Sequence, residues 1–263
     1  NNCIFAENVC AMTKLSATIL TFNEQHRIRA CVESLRDVAD EIVVVDSGST
    51  DSTVEMCRAM GCKVSIRPFR GYGAQRQYAT SLTTHSYVLS LDADEVLSPA
   101  LRQALLELKE QGFAHRGYSM SRLNFYCGVP VKHCGWYPDT QVRLFDKRYA
   151  NWNLRDVAEK VIFRDNITPV PVDGDILHYR CDTPEEYAEK ESSHAYILAH
   201  DIAAAKGDIL PAEPVMAALK AFFNCYIMQG GILDGLAGRR ISVSRYRSTL
   251  LAHSAARKVR AKS

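Results

Sequence analysis

Two carboxylates two residues apart, Asp92 and Asp94, close the apolar run Tyr87-Val88-Leu89-Ser90-Leu91. In an extended backbone, residues i and i+2 project to the same side. A pair held that way suits a hard divalent cation such as Mg2+ or Mn2+ that bridges phosphate oxygens. The small Ala93 between them leaves room for a ligand to approach. A cation there would neutralise a diphosphate leaving group, an electrostatic contribution to a transition state. A D-x-D spelling is also that of a solvated acidic turn, so its position in the fold decides its meaning. Two further stretches offer polar chemistry. Asp46-Ser47-Gly48-Ser49 combines an acceptor, hydroxyls and a glycine suited to a tight turn. Gly71-Tyr72-Gly73-Ala74-Gln75-Arg76 feeds a helix whose Arg76 is placed to pair with a phosphate or with Asp46.

The elements that must position these groups alternate. Leu15–Phe22, Glu41–Asp46, Lys63–Ile66 and Tyr87–Asp92 read as strands, and Ile28–Leu35, Ser52–Met60, Gln75–Leu82 and Ser98–Lys109 as helices between and after them. Ser52 with Glu55 spells a capping box, and Ser98 before Pro99 a helix start. Such alternation predicts an α/β fold with a mostly parallel sheet flanked by helices. Ligands in these sheets sit beyond the carboxyl ends of the strands. That rule selects Thr21-Phe22-Asn23-Glu24, the loop after Asp46, and Asp92-Ala93-Asp94 as one crevice. Residues 117–179 read as antiparallel strands completing the sheet edge. After Thr183 the chain reads as helices over 184–206 and 214–228, then a break at Gly230-Gly231 and a basic tail. The expected division is a catalytic domain over 12–182 and a helical, basic C-terminal extension over 183–263.

Composition narrows the class. Hydrophobic residues are 47% and charged residues 24% of 263, ordinary for a globular protein. The net charge of +2 hides an asymmetry: residues 239–263 hold eight Lys/Arg and no Asp/Glu, leaving 24 basic against 30 acidic residues before them. A basic tail calls for an anionic partner. Nine cysteines without a C-x-x-C pair indicate neither a disulfide framework nor a zinc ribbon, and point to a reducing, cytoplasmic compartment. Cys127, His133 and Cys134 fit no zinc spacing well. The first eleven residues carry no Lys or Arg and do not resemble a signal peptide, with Met12 a plausible start. No apolar run reaches the ~18 residues of a membrane-spanning helix. A nucleic-acid partner is not expected, since the tail lacks interleaved aromatics and any recognisable domain.

In this order and spacing, TILTFNE, VVVDSGSTDST, G-x-x-x-Q-R and SLDADE resemble the family 2 glycosyltransferases of GT-A fold. WYPDTQVRLF, ILHYR and GGILDGLAG resemble one branch, the lipopolysaccharide core β-1,4-glucosyltransferases of the WaaE or KdtX type. The likeness runs from about Leu15 to about Arg245. It implies that Thr21, Asn23, Glu24 and Asp46 bind uracil and ribose of a UDP-sugar, that Gln75 and Arg76 line the nucleotide pocket, and that Asp92 meets ribose or metal. Asp94 would ligate Mg2+ or Mn2+, with His178 a late contact. The implied reaction is a single displacement that inverts the anomeric carbon. Such a reaction needs a carboxylate on the acceptor side, for which Glu159 is favoured and Asp139 is the rival. Related chains often carry His before that glutamate; this one has Ala158. Trp136 and Tyr137 are candidates to stack on an acceptor sugar, or to close the core, and Arg143 to reach an acidic acceptor. The implied product is one sugar, glucose first, added to an inner-core heptose. Capsule, teichoic or protein acceptors, or a non-catalytic sugar-nucleotide binder, are the alternatives. The apolar 215–228 segment and the basic tail fit a peripheral enzyme on the inner face of the cytoplasmic membrane, its acceptor a lipid-anchored glycan.

Overall fold

Four strands, β1 (Leu15–Thr21), β2 (Glu41–Asp46), β3 (Lys63–Ile66) and β4 (Tyr87–Asp92), lie parallel in the order β3-β2-β1-β4. They come from a computed structural model that describes residues 13–154, 159–205 and 210–260. Met12 and the segment before it, Val157-Ala158 and residues 261–263 of the basic tail lie outside the described residues. Helices α1 (Ile28–Ser34), α2 (Thr53–Ala59) and α3 (Tyr72–Ser81) connect the strands. Val43, Val44 and Val45 are all buried, as in a strand covered on both faces. The expected capping box at Ser52 is not formed. Asp51 accepts from the Thr53 amide (3.0 Å) and hydroxyl instead, so the helix start is held one residue earlier. Helix α3 begins at Tyr72, three residues before the expected start, with Gly71 at φ 95° turning the chain into it.

A short strand β5 (Glu95–Leu97) follows the acidic pair, then α4 (Pro99–Glu110). Ser98 caps α4 as its sequence predicts: its Oγ accepts from the Leu101 amide at 3.2 Å, and also from the Asp175 amide at 3.1 Å. The remaining strands are β6 (Gly117–Tyr126), β7 (Val129–Val131), β8 (Asp139–Asp146), β9 (Ala150–Trp152), β10 (Val161–Phe163) and β11 (Val170–Cys181). The main sheet is mixed, ordered β3-β2-β1-β4-β8-β6-β11-β5, with β7 paired to β6. Its first half is parallel and β8 joins β4 antiparallel. Strands β9 and β10 form a separate ribbon. Leu15, Ile19, Leu89, Leu91, Leu101, Leu105 and Tyr118 fill the core, all fully buried.

Two compact units divide the chain, one of residues up to Met120 with Thr140–Ile176, the other of Ser121–Asp139 with Leu177 onward. The helices after residue 182 thus share a unit with the 121–139 segment. They are α5 (Pro184–Ala205), α6 (Glu213–Phe223) and, after a π-helical turn and a 3-10 turn, α7 (Gly235–Arg260). The expected basic tail is therefore a 26-residue helix that packs on α5 and α6. Its buried stripe consists mostly of small residues: Ala237, Gly238, Ile241, Ser242, Ala252 and Ala256. A Cβ on Gly238 would meet the Gly231 carbonyl oxygen at 1.8 Å, so only glycine fits there.

Candidate active site

Parallel register brings the carboxyl ends of β1, β2 and β4 level, with Thr21 opposite Asp46 and Leu20 opposite Asp92. The loops beyond β1 and β2 interlock. Amides of Asn23 and Glu24 donate to Ser49 Oγ (2.8 Å) and Thr53 Oγ1 (2.9 Å), and the Thr50 amide donates to Asn23 Oδ1 (2.8 Å). Asn23 takes φ 55°, a left-handed conformation that asparagine tolerates. Asp46 is fully buried and spends both carboxylate oxygens on its own loop. Oδ1 accepts from the Gly48 (2.9 Å) and Ser49 (2.8 Å) amides, and Oδ2 from the Ser49 hydroxyl. Asp46 and Asn23 thus shape the loop, and contact between Asp46 and a nucleotide requires the Ser49 hydroxyl to give way. Glu24 pairs with Arg27 at 3.1 Å. Phe22, between Thr21 and Asn23, keeps 56% of its surface exposed, a large apolar face at the crevice that strand alternation did not single out.

Gln75 lies buried on α3, its Nε2 donating to Ser47 Oγ (3.4 Å) and Arg67 O (3.2 Å). Its Oε1 and the Thr21 hydroxyl are buried atoms without a hydrogen-bond partner. Buried polar groups are nearly always paired, so two such atoms flanking the Asp46 loop mark a place where donors belong.

Arg76 is the hub of the site. It is 2% exposed, and each arm of its guanidinium is used. Two bonds of 2.9 and 2.8 Å run from one terminal nitrogen to the two oxygens of Asp92, one of 3.1 Å from the other to Ser90 Oγ, and one of 3.0 Å from Nε to Glu159 Oε1. The guanidinium also lies over the Trp152 ring, 4.8 Å from its centroid. Burial opposes its charge, but Asp92, Glu159 and Glu95 outweigh that and push its pKa above the ordinary arginine value. Asp92, Arg76 and Glu159 are therefore one ionic cluster at the end of β4, although 67 residues separate Asp92 from Glu159 in sequence.

A second arginine supports Asp92 from beneath. Arg143, on β8, is 4% exposed and donates to Glu95 Oε1 at 2.8 Å, with Asp92 at 3.5 Å. Arg143, expected to reach an acidic acceptor, thus pairs with carboxylates of this chain, Glu95 and Asp92. Glu95 is fully buried and its other oxygen accepts from the Asp92 amide at 2.9 Å. Sequence reading missed Glu95; the signal was present in its place directly after Asp94. Asp94 lies half-buried in the turn between β4 and β5. Tyr72, at the first turn of α3, was also missed. Its phenol pKa is raised, first by burial, then by the charges of Asp92 and Glu159 and more weakly of Asp94, which places it among these carboxylates.

The other expected residues belong to the second unit. Asp139 pairs with Arg122 through two bonds to Oδ2, of 2.9 and 2.5 Å. Trp136 is 5% exposed, edge-on to Tyr187 with centroids 5.7 Å apart, and covered by Arg180 at 4.9 Å. Of the two readings open for Trp136, closing a core is the one realised. Tyr137 is 36% exposed. His178 Nδ1 lies 2.7 Å from Asn124 Oδ1. No group of three or more His, Cys, Asp or Glu side chains among the described residues is arranged to hold a metal, whether at Asp92, Asp94 and His178 or at Cys127, His133 and Cys134. Cysteines at the seven described positions are free thiols.

Residues 16–123 match the model of the family described as glycosyl transferase family 2. An uncharacterized glycosyltransferase of Rickettsia typhi is 28% identical over 232 residues, 81% of this chain and 77% of its own length. The lipopolysaccharide core biosynthesis glycosyltransferase LpsC of Rhizobium meliloti is 30% identical over 196 residues, 70% of each chain. A solved glucosyl-3-phosphoglycerate synthase of Mycobacterium tuberculosis, in complex with Mn2+, UDP and glucosyl-3-phosphoglycerate, is a partial likeness. It is 26% identical, covers 43% of this chain and 44% of that one, and has a TM-score of 0.35. The matched segment contains β1 to β4 with the Arg76–Asp92 pair, and the relatives extend through the remainder of the site: the chain is a glycosyltransferase and belongs to glycosyltransferase family 2.

Proposed function

We propose that the chain moves a single sugar, glucose first among candidates, from a UDP-sugar to a heptose of the lipopolysaccharide inner core, inverting the anomeric carbon. The observation that carries the chemistry is the cluster Asp92–Arg76–Glu159, which joins the acidic pair to a second carboxylate through one buried guanidinium. The kinship with LpsC, a lipopolysaccharide core enzyme by name, supports the acceptor class.

The residues present fit a nucleotide and a divalent cation. Unpartnered Gln75 Oε1 and Thr21 Oγ1 suit N–H or O–H donors such as those of uracil and ribose. Asp94, half-buried in a turn, suits a hard cation that takes its remaining ligands from phosphate and water. Asp92 would join it by releasing one oxygen from Arg76. When bound, such a cation supplies charge to the departing diphosphate.

The protein's own groups do the rest. Arg76 holds Asp92 in one orientation and adds positive charge where the phosphates leave. Glu159 gives Oε1 to Arg76, and its carboxylate takes the acceptor hydroxyl proton. The acceptor oxygen then forms its bond to the anomeric carbon as the bond to the β-phosphate oxygen breaks. Glu159 is preferred over Asp139 because Arg76 ties it to Asp92 at the end of β4, whereas Asp139 is held by Arg122 outside that cluster. The enzyme works as a peripheral protein at the cytoplasmic face of the inner membrane.

UDP release with purified core glycolipid, across a panel of UDP-sugars with and without Mg2+ or Mn2+, tests this. Metal-dependent release with UDP-glucose is expected. Binding of UDP-sugars without any transfer would make the chain a binding module, and equal turnover in EDTA would remove the cation.

A further inference from the structure

Helix α6 is inside-out for a surface helix. Its buried side consists of Pro214 and Ala218, while Met216, Leu219 and Phe223 face solvent with 64, 50 and 55% of their surface exposed. A soluble amphipathic helix places its large apolar residues the other way. The turns that follow add further exposed apolar side chains, Met228, Leu233 and Leu236 at 69, 72 and 60%. Large exposed apolar patches on monomeric proteins mark interaction surfaces.

The charges beside the patch have one sign. Lys220 stands one helical turn after Met216. Arg239 and Arg240 stand three and four residues after Leu236 on α7, the spacing that places side chains on one helix face, and all three are exposed. Between residues 210 and 260 only Glu213 and Asp234 are acidic. Asp234 is consumed within the unit, accepting from the amides of Lys132 (3.3 Å) and His133 (2.9 Å) and lying 2.8 Å from His133 Nδ1. Glu213 faces His253 at 3.7 Å.

We infer that α6 and the 227–236 turns dock the enzyme on an anionic lipid surface, with Met216, Phe223 and Leu233 entering the boundary between headgroups and acyl chains and Lys220, Arg239 and Arg240 meeting lipid phosphates. An apolar face rimmed by cations is the composition of an interfacial segment. Among the described residues no helix is long and apolar enough to cross a membrane. A second copy of the chain is a poorer occupant: a two-fold contact through this face would set Lys220, Arg239 and Arg240 against themselves, while the two acidic residues between 210 and 260 are engaged within the unit. The inference deepens the glycolipid reading and rests on it for an acceptor held in a membrane.

Co-sedimentation of the full chain with phosphatidylglycerol–phosphatidylcholine vesicles, against pure phosphatidylcholine, tests it. Binding to the anionic vesicles alone is expected, weakened about tenfold or more by M216E/F223E and several-fold by R239Q/R240Q or by raised salt. Both variants should transfer sugar to a delipidated core oligosaccharide at the wild-type rate, which shows that they fold. Wild-type protein that ignores anionic vesicles, or variants that bind them unchanged, would overturn the lipid surface. A wild-type dimer by light scattering that M216E/F223E disperses would overturn it in favour of self-association. Vesicle binding intact with no transfer to any acceptor would leave this inference standing and defeat the proposed function instead.

Discussion

Replacing Arg76 by methionine keeps the length and apolar stem of the side chain and removes every charged contact. Four charge-assisted or polar bonds disappear: Glu159 loses its bond to Arg76, and Asp92 is left with the more distant Arg143 at 3.5 Å. Breaking one partner of a fully buried ion pair costs about 3–5 kcal/mol. Asp92 and Glu159 retain 27 and 19% side-chain exposure, so water offsets part of the loss and about 2–3 kcal/mol is expected. Lysine restores a charge but not the fork that reaches Asp92, Ser90 and Glu159 together, and should recover roughly half of that. Urea unfolding followed by circular dichroism reads the stability, and UDP release reads the activity. Activity should fall about a hundredfold or more in R76M, since both carboxylates lose their positions. R76M within ~0.5 kcal/mol of wild type and turning over normally would refute the hub.

Other outcomes follow from the same geometry. E159Q should lower kcat at least about a hundredfold with the donor KM little changed, whereas D139N should lower it only a few-fold; the reverse order would transfer the base to Asp139. Burial opposes ionisation of Glu41, but Lys63, Ser16 and Thr84 outweigh it and hold its carboxyl down from 4.5 to about 2. A depressed carboxylate stabilises the fold above pH 4.5 and loses that contribution as pH falls toward 2. E41Q should therefore cost roughly 2 kcal/mol at pH 7 and nothing near pH 2, and a pH-independent difference would contradict the assignment. G238A should destabilise the fold by about 3 kcal/mol or more and lower its thermal midpoint, because the Gly231 carbonyl occupies the place of its Cβ; an unshifted midpoint would mean the turn is not held there.

The α/β fold was legible because β2 and β4 carry the apolar runs Ile42–Val45 and Tyr87–Leu89 and Ser98-Pro99 spells a helix start that the backbone uses. The C-terminal extension was expected to be helical, but the bounds of α7 were not legible, because the stripe it buries is mostly Ala, Gly and Ser, which carry little hydrophobic signal at helical spacing. Ser52 and Glu55 have the right spelling for a cap, yet Asp51 reaches the Thr53 amide and takes the role. Within the site, Arg76 and Asp92 were each recognisable from local motifs. Their union with Glu159 was foreseen as membership of one site but not as a shared guanidinium, since only tertiary structure decides where one arginine's arms go. The pairing of Glu95 with Arg143 escaped for a related reason: a buried carboxylate is readable only together with the partner that neutralises it, 48 residues away. The covering of Trp136 by Tyr187 and Arg180 was likewise invisible before the second unit was assembled.

In the proposed reaction the turn after β4 holds the diphosphate of a nucleotide sugar through a divalent cation on Asp94. Calorimetric titration of UDP with Mn2+ into wild type and D94N, at matched thermal stability, tests it most directly. Metal-dependent binding in the wild type, weakened about a hundredfold or more in D94N with transfer lost, is the expected result. Equal UDP–Mn2+ affinity in the two proteins, with D94N still transferring sugar, would contradict the account.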